Sequence, residues 1–439
     1  MATIPAELIA PLFNPATFAV RGAVDELLRE VRERYPLARV EVPGYDPHWI
    51  VAKHADIQTV SRQNDLFHSA DRSATVIPQA GEQLVQQFTG GDYNIFRSLV
   101  QLDGDDHKAH RRVLFQALGS NSIEAMSAGV RETAARHVQK LRDAGGEIDW
   151  SELIATPYPL HVVMDVIGVP EADHEKMLRL TQWLFSWADP DLCRPGTDPA
   201  HPEQQPNTWK IVMDEFDDYF SALIEERRAR PRDDLASLIA NADMDGKPME
   251  HVRAISYFAI LATAGHDSTA HTTATAMWEL AENPELFAAL KADPALIPAF
   301  VEEAIRWTSP VKHFVRHATA DTELHGQAIR RGDRLYLSYP SGNRDADEFD
   351  DPFTFRLDRK RNRHVGFGYG GHVCLGQHLA RLEMRSLWSA VLPMLEAVEM
   401  AGPGTLIASE FVSGPKSVPI RYRLACPRDG ARDPHVTHK

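Results

Sequence analysis

A chain of 439 residues with 43% hydrophobic content can bury a substantial core, and length alone would allow two or three domains. Its formal net charge of -15 excludes a generic nucleic-acid binder, because a phosphate backbone rewards clustered Lys and Arg; it favours a neutral or apolar ligand. Three scattered cysteines, Cys193, Cys374 and Cys426, give neither a disulfide framework nor a zinc-type pair.

No apolar run approaches the roughly 18 residues of a membrane helix, and the opening MATIPAELIAPLF lacks the regions of a signal peptide. The expectation is a cytoplasmic protein with no membrane and no nucleic-acid partner. In chain order, Val24 to Arg34, Ser122 to Ala144, Asp214 to Arg230 and Leu379 to Val398 carry apolar residues at helical spacing. Shorter β-branched and aromatic stretches, Trp49 to Ala52, Arg334 to Leu337 and Val418 to Tyr422, read as strands of small sheets. Between Asp189 and Pro206, clustered prolines deny the backbone its helical hydrogen bonds, so the segment reads as a surface loop within one domain. The fold class is mainly α with small β-sheets: one domain over residues 1–425, then a tail over 426–439 that has little to bury.

From His251 to Leu280 the pattern allows one helix of about 45 Å, stopping near Asn283-Pro284. Its first half, AISYFAILATA, is almost entirely apolar. Gly265, His266, Asp267, Ser268 and Thr269 then arrive together, all weak helix formers, and a mid-helix glycine costs about 1 kcal/mol relative to alanine. Close packing at the glycine, with the polar residues in solvent, is one explanation. The other is a local distortion that makes room for a small ligand beside a carboxylate and a hydroxyl able to relay protons. His266 reads as a packing or surface residue rather than a ligand.

Glu303 and Arg306 form E-x-x-R, three apart on a helix, which by itself is a weak signal. His107 and Arg111 stand four apart on a helix face; His107 and His110 also have the spacing of a metal pair, but no third ligand is evident.

The segment Gly366 to Arg385, GFGYGGHVCLGQHLARLEMR, carries the strongest signal. Gly366, Gly368 and Gly371 satisfy G-x-G-x-x-G, but the preceding RKRNRH is no buried strand, and Glu383 and Glu396 lie in a helical pattern rather than at the end of a second strand. A nicotinamide oxidoreductase is therefore disfavoured. The alternative is a loop that brings backbone close to a flat cofactor and presents Cys374 near a helix N-terminus, where backbone N–H groups favour thiolate. A thiolate can ligate haem iron and favour O–O cleavage.

From Phe367 to Gly376 the chain resembles, residue for residue, the F-G-x-G-x-H-x-C-L-G signature of the cytochrome P-450 family of haem-thiolate enzymes. The resemblance runs from about residue 10 to 425. YPLHVVM, ATAGHDST, EEAIRWTSPVK, LSYPSGNRD, CLGQHLARLEM and FVSGPKSVPIR resemble in particular the α-terpineol-hydroxylating subfamily. It implies the cytochrome P-450 fold, an α-rich triangular prism with haem b (iron protoporphyrin IX) between the oxygen-activation helix and the cysteine loop. Cys374 would be the iron ligand, Phe367 would pack near its sulfur, and Gly376 would close the motif. His372, His107, Arg111 and Arg316 match the family's propionate contacts. AGHDST resembles its oxygen-activation motif: Asp267 takes the acid position, and Ser268 the position usually held by threonine, which keeps the hydroxyl without the methyl that restricts its rotamer. Thr269 offers a second hydroxyl about 100° further around the helix. Glu303, Arg306 and Arg359 match a structural trio.

By the same analogy Ile260, Thr263, Ala264, Val311, Phe314, Phe411 and Val412 would face a compact hydrocarbon such as a monoterpenoid or alkylbenzene. The segments Phe67 to Ser98 and Gln182 to Asp218, which would set specificity, do not align. No reductase-like sequence follows, so electrons are expected from a 2Fe-2S ferredoxin with its ferredoxin reductase, steered by Arg111, Arg112, Lys360, Arg361, Arg363 and Arg381. The expected activity is monooxygenation with O2; the alternative is a haem-thiolate sensor or carrier without turnover, which has no need of the Asp267 and Ser268 relay.

Overall fold

The apolar periodicities resolve into helices that share one large core, with small sheets beside it. In the computed structural model, which describes residues 3–198, 201 and 203–425, the main helices are Ser120–Asp143, Pro157–Ile167, Gln204–Ala229, His251–Ala264, Asp267–Glu282, Ile297–Thr308 and Gln377–Met394. Each sends buried side chains into that core, among them Leu141, Met164, Phe220, Phe258, Met277, Phe300 and Trp388. Phe220 stacks on Phe258 with ring centres 4.7 Å apart, and Trp388 on Trp150 at 5.7 Å. Such pairs contribute about 1 kcal/mol beyond the area they bury.

A five-stranded sheet runs in the order Leu37–Val40, His48–Val51, Arg334–Ser338, His313–Ala318, Phe67–His68. Only the pairing of His48–Val51 with Arg334–Ser338 is parallel. Ile50, Tyr336 and Val315 form one row across it and pack into the N-terminal cluster, while Val51, Leu335 and Leu337 pack on the other side. Burial of both faces explains why these strands read as apolar runs rather than alternations. A second, antiparallel sheet joins Glu147–Asp149, Pro419–Leu424 and Leu395–Met400.

Three expectations need correction. The helical pattern to Val398 ends at Met394: Pro393 has no N–H to donate, and Leu395–Met400 pairs instead with Pro419–Leu424. Glu396 is thus a strand residue bound to Arg423, in an antiparallel sheet rather than at the end of the second parallel strand that a dinucleotide site requires. The single helix from His251 is divided at Gly265 and His266. A Cβ on Gly265 would lie 2.6 Å from Val163 Cγ2 and 2.6 Å from the Leu261 carbonyl oxygen, so close helix packing and a break in the ladder coincide there. Its second half ends at Glu282, where Asn283 caps the Pro284–Ala292 helix.

The proline-rich stretch is irregular over the described residues Pro190 to Asp198, and a helix begins at Gln204, with Pro206 inside the first turn. It is anchored at its start by Asp189, which is fully buried, accepts from the Ala408 N–H at 2.9 Å and binds Lys416 at 2.8 Å. The expected tail, with Cys426, lies outside the described residues. Among the described residues no helix is long and apolar enough to cross a membrane.

Candidate active site

The loop ahead of the Gln377–Met394 helix is held on several sides. Gly370, at φ 70°, passes so close to the Ser61 carbonyl that a Cβ would fall 2.0 Å from its oxygen. The Cys374 N–H donates to the Phe367 carbonyl at 2.8 Å, and Arg111 donates to the Val373 carbonyl at 2.7 Å. The Phe367 ring lies under the Arg381 guanidinium, 4.5 Å from its centre, and Arg381 is fixed by Glu302 at 2.7 Å. Cys374 is therefore presented to a large internal cavity by backbone that has little freedom. Burial pushes its thiol pKa up, against the Gly376 N–H and the Arg111 and Arg381 charges. The Gly376 N–H at the helix start does favour thiolate, as expected, but burial outweighs it; a bound metal ion is what deprotonates such a sulfur.

The interrupted helix lines the same cavity with Ile260, Thr263, Ala264, Asp267, Ser268 and Thr269. Ser268 Oγ donates to the Ala264 carbonyl at 3.3 Å, the last carbonyl before the break. Thr269 is buried, and so is His266, which had been read as a packing or surface residue. Its Nε2 stands 2.9 Å from Asp267 Oδ1.

A polar cluster closes another part of the wall. His107, Arg111, Arg316 and His372 all line the cavity, with the His107 and His372 rings stacked 4.1 Å apart. Asp103 is 3.5 Å from His372 Nε2. Burial, then the neighbouring His372 and Arg111, lowers the His107 pKa to about 4. Its Nε2 and Arg316 Nε are buried with no hydrogen-bond partner. Four nitrogen-bearing side chains face one carboxylate, so the cluster is short of acceptors. His110 turns away, its Nδ1 bonded to the Asp106 carbonyl at 2.9 Å, so the spacing with His107 does not form a metal pair.

The remaining walls are mostly apolar, with a few polar residues such as Asn94, Gln205 and Glu410 among them. Val311, Phe314, Phe411 and Val412 line the cavity, and Phe411 packs between Phe314 at 5.5 Å and Phe185 at 5.7 Å. Sequence reasoning missed Tyr93, Phe96, Leu184, Phe185, Trp187 and Trp209, which complete the enclosure. They come from the two unaligned segments: Tyr93, Phe96 and Trp187 lie in irregular backbone, and Leu184, Phe185 and Trp209 at helix ends, so their large apolar side chains were the available signal.

Glu303, Arg306 and Arg359 meet outside the cavity. Arg306 grips the Glu303 carboxylate at 2.6 and 2.8 Å, and Arg359 Nε reaches it at 3.0 Å. Arg306 also donates to the carbonyls of Asn343 and Pro352, which tethers the segment leading to the cysteine loop.

A family model for cytochrome P450 matches residues 21–402. The chain belongs to the cytochrome P450 family. It is 41% identical over 97% of its length to cytochrome P450-terp from a Pseudomonas species, covering 99% of that protein. Linalool 8-monooxygenase from Pseudomonas putida is 30% identical, over 93% of this chain and 98% of the relative. The crystal structure of CYP108D1 from Novosphingobium aromaticivorans superposes with a TM-score of 0.88 at 38% identity, over 97% of this chain and all of that one. The P450 fold, monooxygenase activity and haem cofactor follow from this membership.

The cavity of this P450 fits haem. Cys374 would supply a sulfur ligand, and the unpartnered His107 and Arg316 nitrogens, with Arg111 and His372, would supply the donors that two buried propionates require.

Proposed function

We propose that this P450 hydroxylates a compact, largely apolar substrate of monoterpenoid or alkylbenzene type. Two electrons would come from a 2Fe-2S ferredoxin and its reductase: RH + O2 + 2 e⁻ + 2 H⁺ gives ROH + H2O. The observation that carries the reading is one cavity lined by Cys374, by Asp267, Ser268 and Thr269, and by the aliphatic and aromatic side chains of Ile260, Val311, Phe314, Phe411 and Val412. Thr263 adds little polarity, because its hydroxyl donates to the Ala259 carbonyl at 2.8 Å.

When bound, haem supplies the redox iron at which dioxygen is activated. The protein's own groups have separable roles in this reading. Cys374 ligates the metal, the polar cluster holds the propionates, and the apolar walls orient the substrate by shape and exclude water. Asp267 and the hydroxyls of Ser268 and Thr269 move protons. The similarity to proteins named P450-terp and linalool 8-monooxygenase favours terpenoid alcohols as first substrates to try. For the electron donor, exposed Arg112, Lys360, Arg361 and Arg363 border the cysteine loop and offer an acidic partner a landing site. Arg111 and Arg381 are engaged internally and contribute less to it.

The dithionite-reduced holoprotein under carbon monoxide tests the centre: the red-shifted Soret band of thiolate ligation is expected, and haem bound without it refutes the Cys374 assignment. Incubation with α-terpineol, ferredoxin, reductase and isotopically labelled dioxygen tests the chemistry. One labelled oxygen in the product is expected; label in water alone, with dioxygen consumed, rejects the substrate class.

A further inference from the structure

His266 has an environment with only one consistent proton count. Its ring is fully buried. Nδ1 lies 2.9 Å from the Ala262 carbonyl oxygen, which can only accept. Nε2 lies 2.9 Å from Asp267 Oδ1 and 3.3 Å from Thr181 Oγ1. The Thr181 hydroxyl donates to the Leu178 carbonyl at 2.9 Å, so it too offers His266 only lone pairs. Acceptors therefore face both ring nitrogens, and an ionised Asp267 requires a proton on each. Asp267 is at the same time a cavity-lining residue.

We propose that His266 is a proton-storing positioning residue: it and Asp267 form an imidazolium–carboxylate pair, and His266 re-supplies the proton that Asp267 passes to the oxygen-activation site. The proposal rests on the monooxygenase reading above and adds a residue to it. In each transfer the Nε2–H bond breaks and Asp267 carries the proton to the cavity; neutral His266 then regains a proton by the reverse path, from cavity water through Asp267. The pair exists because of the helix break. Adjacent residues on a regular helix point about 100° apart; His266, at φ -117°, has left the helix, and its side chain turns back to Asp267.

Among the described residues, Asp267 is the charged group that acts on His266. His271, one turn on, has its Nδ1 3.3 Å from the Pro415 carbonyl, and burial lowers its pKa to about 4, which leaves it neutral. Lys312 lies beyond His271, and Val163 of the neighbouring helix presents only methyl groups at the break. Burial alone would depress the His266 pKa, but the Asp267 charge reverses this and raises it; Asp267 is lowered in turn by His266.

The first test is 15N NMR of the histidine-labelled ferrous carbon monoxide complex, which is diamagnetic. The resonance that His266→Gln removes should be that of a doubly protonated ring at pH 7, above the ordinary histidine value of about 6.5, and should become neutral at that pH in Asp267→Asn. A neutral ring in the unmutated protein overturns the proposal. The second test is the pH profile of dioxygen consumption driven by a surrogate 2Fe-2S ferredoxin and reductase. An alkaline fall is expected, absent in His266→Gln, with a roughly tenfold lower plateau, smaller than the hundredfold or so of a lost proton-transfer group because Asp267 remains. Gln keeps a donor toward Asp267, so a purely structural role would leave the profile unchanged, and an unchanged profile rejects the storage role. Failure of the thiolate reading would register separately, in the carbon monoxide band.

Discussion

Replacing Glu303 by Gln removes one charge and almost no volume, so its effect isolates electrostatics. The carboxylate is fully buried and accepts from Arg306 at 2.6 and 2.8 Å, Arg359 at 3.0 Å, Asn362 at 3.0 Å and the Arg356 N–H at 2.9 Å. Gln offers one acceptor where two stood, and turns an amide N–H2 toward guanidinium donors. Two buried cations then lack a counter-charge, which costs about 3–5 kcal/mol. At a urea slope of about 3 kcal/mol per molar, that lowers the midpoint by roughly 1–1.7 M. Haem loss followed by absorbance during urea titration is the assay, since the cofactor leaves when its loop does. Glu399→Gln, which disturbs an exposed pair with Arg421, is the control and should stay within about 0.5 kcal/mol. A Glu303→Gln midpoint matching the control would refute the argument that the charge is uncompensated. Burial raises the Glu303 pKa, but Arg306 outweighs it and the net shift is downward. Its stabilisation is therefore full above the unfolded value of about 4.3 and lost as pH falls below it, so the variant and the unmutated protein should converge in acid.

Cys374→Ala should bind haem without giving the thiolate band under carbon monoxide, and retention of the band would remove Cys374 as ligand. Asp267→Asn should keep that band while product formation falls about a hundredfold, the scale of a lost proton-transfer group; unchanged turnover removes its proton role. Gly265→Val should lose about 1–3 kcal/mol in urea unfolding, because its Cβ alone meets Val163 Cγ2 and the Leu261 carbonyl at 2.6 Å; equal stability would mean the two helices separate freely. Burial raises the Glu410 pKa to about 7. A raised carboxyl stabilises the fold below its unfolded value of about 4.3 and loses that contribution as pH rises through 7, here roughly 3 kcal/mol. Glu410→Gln should flatten the stability profile between about pH 4 and 7, and parallel profiles would locate the titration elsewhere.

The parts of the site that were legible in the sequence are those in which local chemistry is tied to local backbone. The glycines around Cys374 answer to contacts a Cβ cannot make, and the weak helix formers after Ala264 mark a real interruption. Less legible were features that depend on segments meeting in space. Glu303 with Arg306 is an unremarkable spacing until Arg359 and the Asn343 and Pro352 carbonyls converge on it. His266 looked inert because neighbours on an ideal helix do not pair; only the departure of its backbone brings it to Asp267. Phe96 and Trp209, whose rings lie 6.4 Å apart, meet only because an irregular segment folds back onto the start of the Gln204–Ala229 helix. The end of the last long helix was misjudged for a similar reason, since the partner strand of Leu395–Met400 lies some twenty residues further along.

Asp189 touches none of the cavity, yet it joins two of its walls. Its carboxylate binds the Ala408 N–H and Lys416, and it follows closely after Phe185 and Trp187, while Ala408 is followed by Phe411 and Val412. The Ser409 hydroxyl also donates to the Phe185 carbonyl at 3.0 Å, and the Phe185 and Phe411 rings touch, 5.7 Å apart. The aromatic part of the chamber is thus held from outside as well as from within. Selectivity could be altered by residues around Asp189 that no substrate ever contacts.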